Sequence, residues 1–86
     1  MPQVTVYCTS VCPYCIRALK MLSNKGVEVE EVRIDQHPER RDEMITRANG
    51  RTSVPQIFID DTHVGGFDDM VELDIDDELD PMLGLS

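Results

Sequence analysis

Val4 and Val6 alternate with Thr5 and Tyr7, the period-two pattern of a short strand. From Pro13 the spacing changes. Ile16, Leu19 and Leu22 recur at helical intervals, predicting a first helix from about Pro13 to Lys25 that faces the core with these three residues and ends at Gly26. Val27 and Val29 then alternate, but Val32 and Ile34 fall in the opposite phase, so a second strand is expected from about Val29 to Ile34 with a bulge or late start near Glu30. Pro38 opens a second helix on which Arg41, Met44, Ile45 and Ala48 share one side, and Asn49-Gly50 closes it. Gln56-Ile57-Phe58-Ile59 reads as a third strand, and Asp60-Asp61-Thr62 as a hairpin turn into a short fourth, His63-Val64, broken by Gly65-Gly66. Asp68 or Asp69 is expected to cap a last helix carrying Val71, Ile75 and Leu79 on one stripe, with Pro81 beyond its end. This order implies an α/β protein: a four-stranded mixed sheet with a right-handed crossover, flanked by three helices.

Eighty-six residues suit one domain, 1–86, with a modest core. No apolar run approaches membrane-spanning length, and Met1-Pro2-Gln3-Val4 enters the strand pattern without a signal-peptide pattern, so a cytoplasmic protein with no membrane partner is expected. Charge changes the picture further. The net charge is −9; every Lys and Arg lies between Arg17 and Arg51, while residues 52–86 carry acidic groups and no basic one. Nucleic-acid binding, which requires a cationic stripe, is not expected. The acidic surface is read as serving solubility.

The candidate chemistry lies in Cys12-Pro13-Tyr14-Cys15, where strand hands over to helix. Two thiols separated by two residues form a reversible dithiol/disulfide couple. A first cysteine at the helix N-terminus meets unpaired backbone N–H groups and the positive end of the macrodipole, which favour its thiolate. Cys12 is therefore the nucleophile. Cys15, one turn on and more buried, is the resolving thiol. Pro13 at the first helical position lacks only an N–H that would go unpaired. An odd count of three cysteines does not resemble the disulfide framework of a secreted domain. Cys8 is read as a small buried residue at a strand end, and His37 and His63 as surface residues.

In combination these motifs resemble the glutaredoxin family, of the small bacterial dithiol type, over nearly the whole chain. Cys12-Pro13-Tyr14-Cys15 matches its active site, Val54-Pro55 its Thr-Val-Pro segment, and Gly65-Gly66 with Asp68-Asp69 its Gly-Gly-x-Asp-Asp loop. The resemblance implies a thioredoxin fold with a cis proline at Pro55. It also implies an enzyme with no permanently bound cofactor or metal, using glutathione as reductant co-substrate on protein disulfides and glutathionylated client proteins, as a monomer. Carried over residue by residue, the backbone of Val54 pairs with the cysteinyl part of glutathione. The helix N-terminus near Asp68 receives the γ-glutamyl carboxylate, Asp69 its ammonium, and Arg41 the glycyl carboxylate, while Tyr14 flanks the sulfur.

Three residues depart from the family pattern. Thr9 stands where many members carry Lys, Ser53 replaces Thr, and Phe67 occupies a position that is commonly small. Two alternatives accompany the main reading: a thioredoxin-like redoxin reduced directly by a flavin reductase, and a non-enzymatic iron–sulfur or zinc carrier. Cys12 and Cys15 alone fill only half of a four-coordinate metal site, so a carrier requires further ligands.

Overall fold

The computed structural model describes residues 2–85. Four strands, β1 (Val4–Cys8), β2 (Val29–Arg33), β3 (Gln56–Ile59) and β4 (Thr62–Gly65), form one sheet in the order β2-β1-β3-β4. β1 pairs parallel with β2 and antiparallel with β3; β3 pairs antiparallel with β4. The helices are α1 (Pro13–Asn24), α2 (Arg41–Arg47, led in by a 3-10 turn Pro38–Arg40), α3 (Phe67–Ile75) and α4 (Leu79–Met82). The mixed sheet, with β1 and β2 parallel across the α1 connection, is as the sequence predicts, with one additional short helix.

Both faces of the sheet are covered, which explains the phase change in the second strand. Val4, Val6, Cys8, Ile57 and Ile59 point to one side and pack with Cys15, Ala18 and Leu22 of α1, Met70 of α3 and Leu79 of α4. Tyr7, Val32, Ile34 and Phe58 point to the other and pack with Met44 and Ala48. Val29 and Val32 thus serve opposite faces of an unbroken strand, whose register runs evenly from Val4↔Val29 to Cys8↔Arg33. The expected bulge near Glu30 is absent; β2 ends at Arg33, and the irregularity lies instead in β4, between Ile57 and Phe58 of its partner.

Two helices also differ from expectation. The buried residues of α1 are Cys15, Ala18 and Leu22; Leu19 is partly buried and Ile16 is 58% exposed. The last helix breaks after Ile75, which is 74% exposed. Asp77 adopts φ 59°, and the chain restarts as α4 with Pro81 inside its first turn, where the missing N–H has no intrahelical partner to lose. Met70 and Leu79, on separate helices, supply the core contacts. Lys25 ties these pieces to the end of α1, its Nζ lying 2.8 Å from Asp74 and 2.7 Å from Asp80.

On the second face, Arg47 lies 4.2 Å above the centroid of the buried Phe58 ring and donates to Tyr7 Oη at 3.0 Å. Tyr7 meets Phe58 edge-on at 5.6 Å and donates to Glu43, which Arg40 holds in turn.

Candidate active site

The turn between β1 and α1 presents Cys12, and it is tethered from the neighbouring strand. Ser10 N–H donates to Asp35 Oδ2 at 3.0 Å, and Arg33 Nη1 to Ser10 Oγ at 3.2 Å. Cys12 is the N-cap of α1 and Pro13 its first helical residue, as the sequence predicts. Cys12 is partly exposed, whereas Cys8 and Cys15 are buried. All three are free thiols.

The electrostatics separate the two active-site sulfurs. Partial burial opposes ionisation of Cys12. The backbone N–H and thiol of Cys15 and the backbone N–H of Tyr14 nevertheless donate to its sulfur, and together they hold its pKa below the ordinary thiol value. In the protonated form this sulfur faces the carbonyl of Val54 at 3.8 Å, so ionisation also removes a weak S–H donor from that oxygen. Burial, reinforced by the hydrogen bond to Cys12 and by its charge, pushes Cys15 up to about 12 against the opposing Thr9 backbone N–H. Cys8 is likewise raised, chiefly by burial. Alkylation at neutral pH is therefore expected at Cys12 alone, which peptide mapping after iodoacetamide treatment checks.

Stability follows with opposite signs. Cys12, depressed in the fold, contributes stability that is complete above the unfolded-state value and lost as pH falls through its folded pKa. Cys15 behaves in reverse: between pH 9.0 and about 12 the unfolded chain has shed a proton that the fold retains. Through that window this thiol lowers stability as pH rises. Urea midpoints measured from pH 8 upward should fall more steeply for the native protein than for Cys15→Ala.

A shallow cleft of about 170 Å³ opens beside Cys12, lined by Tyr14, Arg51, Ser53, Val54, Pro55, Gly66, Phe67, Asp68 and Asp69. The Val54-Pro55 bond is cis, as the resemblance implies. Five of the six residues expected to bind glutathione line this cleft. Arg41, exposed on the first turn of α2, does not. The cation in the cleft is Arg51, whose Nη1 lies 3.3 Å from Asp69 Oδ2. Helical spacing singled out Arg41; Arg51 belongs to a loop whose course depends on tertiary packing, and no local signal marks it. Tyr14 and Phe67 flank the cleft with ring centroids 6.4 Å apart. A larger groove, about 630 Å³, lies at the far end of the sheet between Pro2 and Gly26–Glu30 and contains no thiol.

Neither Asp68 nor Asp69 is the N-cap of α3; that position is Gly66. Asp69, on the first turn, reaches back to accept the Gly66 N–H at 2.8 Å, and this bond, with Arg51, holds its carboxyl below the usual range. Gly65 makes the arrangement possible. Its φ is +115°, and a Cβ there would collide with the Asp69 carboxylate and stand 3.0 Å from Arg51 Nη1. Gly65→Ala is expected to cost about 1–3 kcal/mol from backbone strain and to displace Asp69 from the cleft. Thermal unfolding measures the first effect and the Michaelis constant for glutathione the second.

Known proteins place this arrangement. The glutaredoxin family model matches residues 4–64. Glutaredoxin 3 of Escherichia coli strain K12 is 52% identical over 83 residues, covering 96% of this chain and 99% of that protein. A probable glutaredoxin of Synechocystis is 52% identical over 81 residues, covering 94% and 92%. The crystal structure of a buckwheat glutaredoxin–glutathione complex superposes with a TM-score of 0.87 at 28% identity, over 96% of this chain and 77% of that one. The solution structure of glutaredoxin from Brucella melitensis gives 0.83 at 44% identity, over 99% and 91%. With its thiol pair at the head of α1 and its thioredoxin fold, the chain belongs to the glutaredoxin family.

Proposed function

We propose that the chain is a glutathione-dependent thiol–disulfide oxidoreductase acting on protein disulfides and glutathione mixed disulfides. The observation that carries this reading is the pairing of a low-pKa, partly exposed Cys12 with an adjoining cleft built from Val54, the α3 N-terminus and Asp69. The Cys12 thiolate attacks the glutathionyl sulfur of a mixed disulfide. The client leaves as a thiol, taking a proton from solvent, and glutathione remains on Cys12. A second glutathione thiolate then attacks that glutathionyl sulfur, releasing glutathione disulfide and restoring Cys12. With a protein disulfide, the mixed disulfide forms to the client; Cys15, giving its proton to solvent, attacks the Cys12 sulfur, releasing the client as a dithiol and leaving a Cys12–Cys15 disulfide that two glutathiones reduce, leaving as glutathione disulfide.

The value of the low pKa lies in departure. Lowering a thiol's pKa raises its thiolate fraction at pH 7, while a Brønsted slope of about 0.4–0.5 lowers the nucleophilicity of that thiolate and offsets much of the gain. Attack gains little, but Cys12 becomes a good leaving group.

In the bound state, the backbone of Val54, beside Pro55, pairs with the cysteinyl unit of glutathione by main-chain bonds. The free N–H groups of the first turn of α3, at Phe67 and Asp68, receive the γ-glutamyl carboxylate, and Asp69 the ammonium. Arg51, the cation within the cleft, takes the glycyl carboxylate in place of Arg41, which lies outside it, and Tyr14 flanks the sulfur. Residues 1–86 are one functional domain, monomeric and cytoplasmic, with glutathionylated or disulfide-bonded proteins as clients. No helix among the described residues is long and apolar enough to cross a membrane.

A coupled assay tests the reading. Glutathione with its reductase and NADPH should drive reduction of a mixed disulfide, and thioredoxin reductase should not. Efficient reduction by the flavin enzyme with no response to glutathione would replace this reading with the thioredoxin-like one.

A further inference from the structure

His63 lies on β4, outside the cleft, and no step above uses it. It is not the surface residue that the sequence suggests: its ring is half-buried and stacks on Phe58 with centroids 4.9 Å apart and planes 24° from parallel. Its Nε2 lies 2.7 Å from Gln56 Oε1. Gln56 is the fully buried polar side chain at the start of β3, and its amide nitrogen donates to both Ser53 O at 3.0 Å and Ser53 Oγ at 3.2 Å. The two N–H bonds of the carboxamide are thus directed at the residue preceding Val54. The chain of groups runs His63, Gln56, Ser53, and then Val54, whose carbonyl faces Cys12 Sγ.

Donor and acceptor roles fix the ring's tautomer. With the amide nitrogen committed to two oxygens of Ser53, Oε1 is an acceptor, so the imidazole must present Nε2–H. Burial holds the His63 pKa below its ordinary value; Arg51 and Arg47 add to this and Asp69 opposes it, so the ring is neutral near pH 7. A neutral ring with its proton on the other nitrogen would set two lone pairs against each other at 2.7 Å.

We propose that His63 is a positioning residue for the glutathione site: through its Nε2–H bond to Gln56 it fixes the carboxamide that holds the Ser53-Val54 backbone in place for the substrate. The inference rests on the proposed use of Val54 as the main-chain partner of glutathione. Removing the ring donor leaves Gln56 Oε1 without its partner in a dry site, frees the carboxamide to rotate, and releases Ser53. The sulfur chemistry itself is untouched.

Two substitutions separate the hydrogen bond from the stack. His63→Phe keeps an aromatic ring on Phe58 but has no donor, whereas His63→Gln keeps an N–H donor but no ring. His63→Phe is expected to raise the apparent KM for a glutathionylated peptide about 2- to 13-fold, the equivalent of one lost neutral hydrogen bond, with kcat and the Cys12 pKa unchanged. His63→Gln should stay near the native KM. An unchanged KM in His63→Phe, or equal impairment in both variants, overturns the proposal. Nitrogen NMR of the native protein gives an independent reading: above the ring's titration, His63 should carry its proton on Nε2, and a proton on Nδ1 overturns the assignment even if the variants fail to fold. If native protein does not use glutathione at all, the proposed function fails; if it does and these outcomes go the other way, only the role of His63 fails.

Discussion

Cys12→Ser abolishes both activities, reducing turnover by at least about a thousandfold, the scale on which loss of a covalent nucleophile is felt. No other thiol replaces it: Cys8 and Cys15 are buried, and both are held above the ordinary thiol value. Cys15→Ser divides the two reactions. Deglutathionylation of small mixed disulfides needs only Cys12 and a second glutathione, so it should persist within a few-fold of native. Reduction of protein disulfides loses its intramolecular release step and should fall sharply. The coupled assay run on both substrates checks the pattern, and full activity in Cys12→Ser would overturn the assignment of the nucleophile.

The largest effect on stability is expected at Phe58. This ring is 1% exposed, lies edge-on to Tyr7, stacks with His63 and sits beneath the Arg47 guanidinium. Phe58→Ala removes all three aromatic and cation–π contacts and leaves a cavity between sheet and α2, at a cost of about 3–5 kcal/mol. A fold of this size has a total stability of about 5–13 kcal/mol. At roughly 4–8 °C per kcal/mol, the melting temperature should drop by about 12–40 °C. Phe58→Leu, which retains much of the volume, should lose clearly less; thermal denaturation followed by far-UV circular dichroism distinguishes the two. Equal melting temperatures for native protein and Phe58→Ala would refute the central role of this cluster.

What the sequence made legible was local. Pro13 after Cys12, Gly26 after α1 and the alternation at Val4–Tyr7 are signals written over a few residues, and each element stands where they put it. The errors share a different cause. Spacing puts Ile16 on the core side, but Tyr14 and Ile16 on α1, and Val11 just before it, are all exposed apolar residues, so periodicity alone does not identify the inward face. The opposite phases of Val29 and Val32 suggest a bulge only for a sheet with one buried face, whereas both faces are covered here. The break at Asp76–Glu78 has no glycine to announce it; Asp77 takes the positive φ instead. Arg51 and His63 became visible only once distant segments were brought together. Their partners Asp69 and Gln56 lie 18 and 7 residues away.

The unequal depth of the three sulfurs also governs what peroxide can do to the protein. Oxidation begins on an accessible thiolate, so the first product is a sulfenic acid on Cys12. Cys15, one helical turn away and donating to that sulfur, can condense with it, expelling water and closing a disulfide before a second oxidant converts the sulfenate to sulfinate. That disulfide is the oxidised form of the same redox couple, and glutathione reopens it. Cys8 and Cys15 are meanwhile kept off the irreversible part of the ladder by burial. The arrangement that makes one thiol reactive thereby directs cysteine oxidation to the position from which disulfide closure can reverse it without a dedicated repair enzyme.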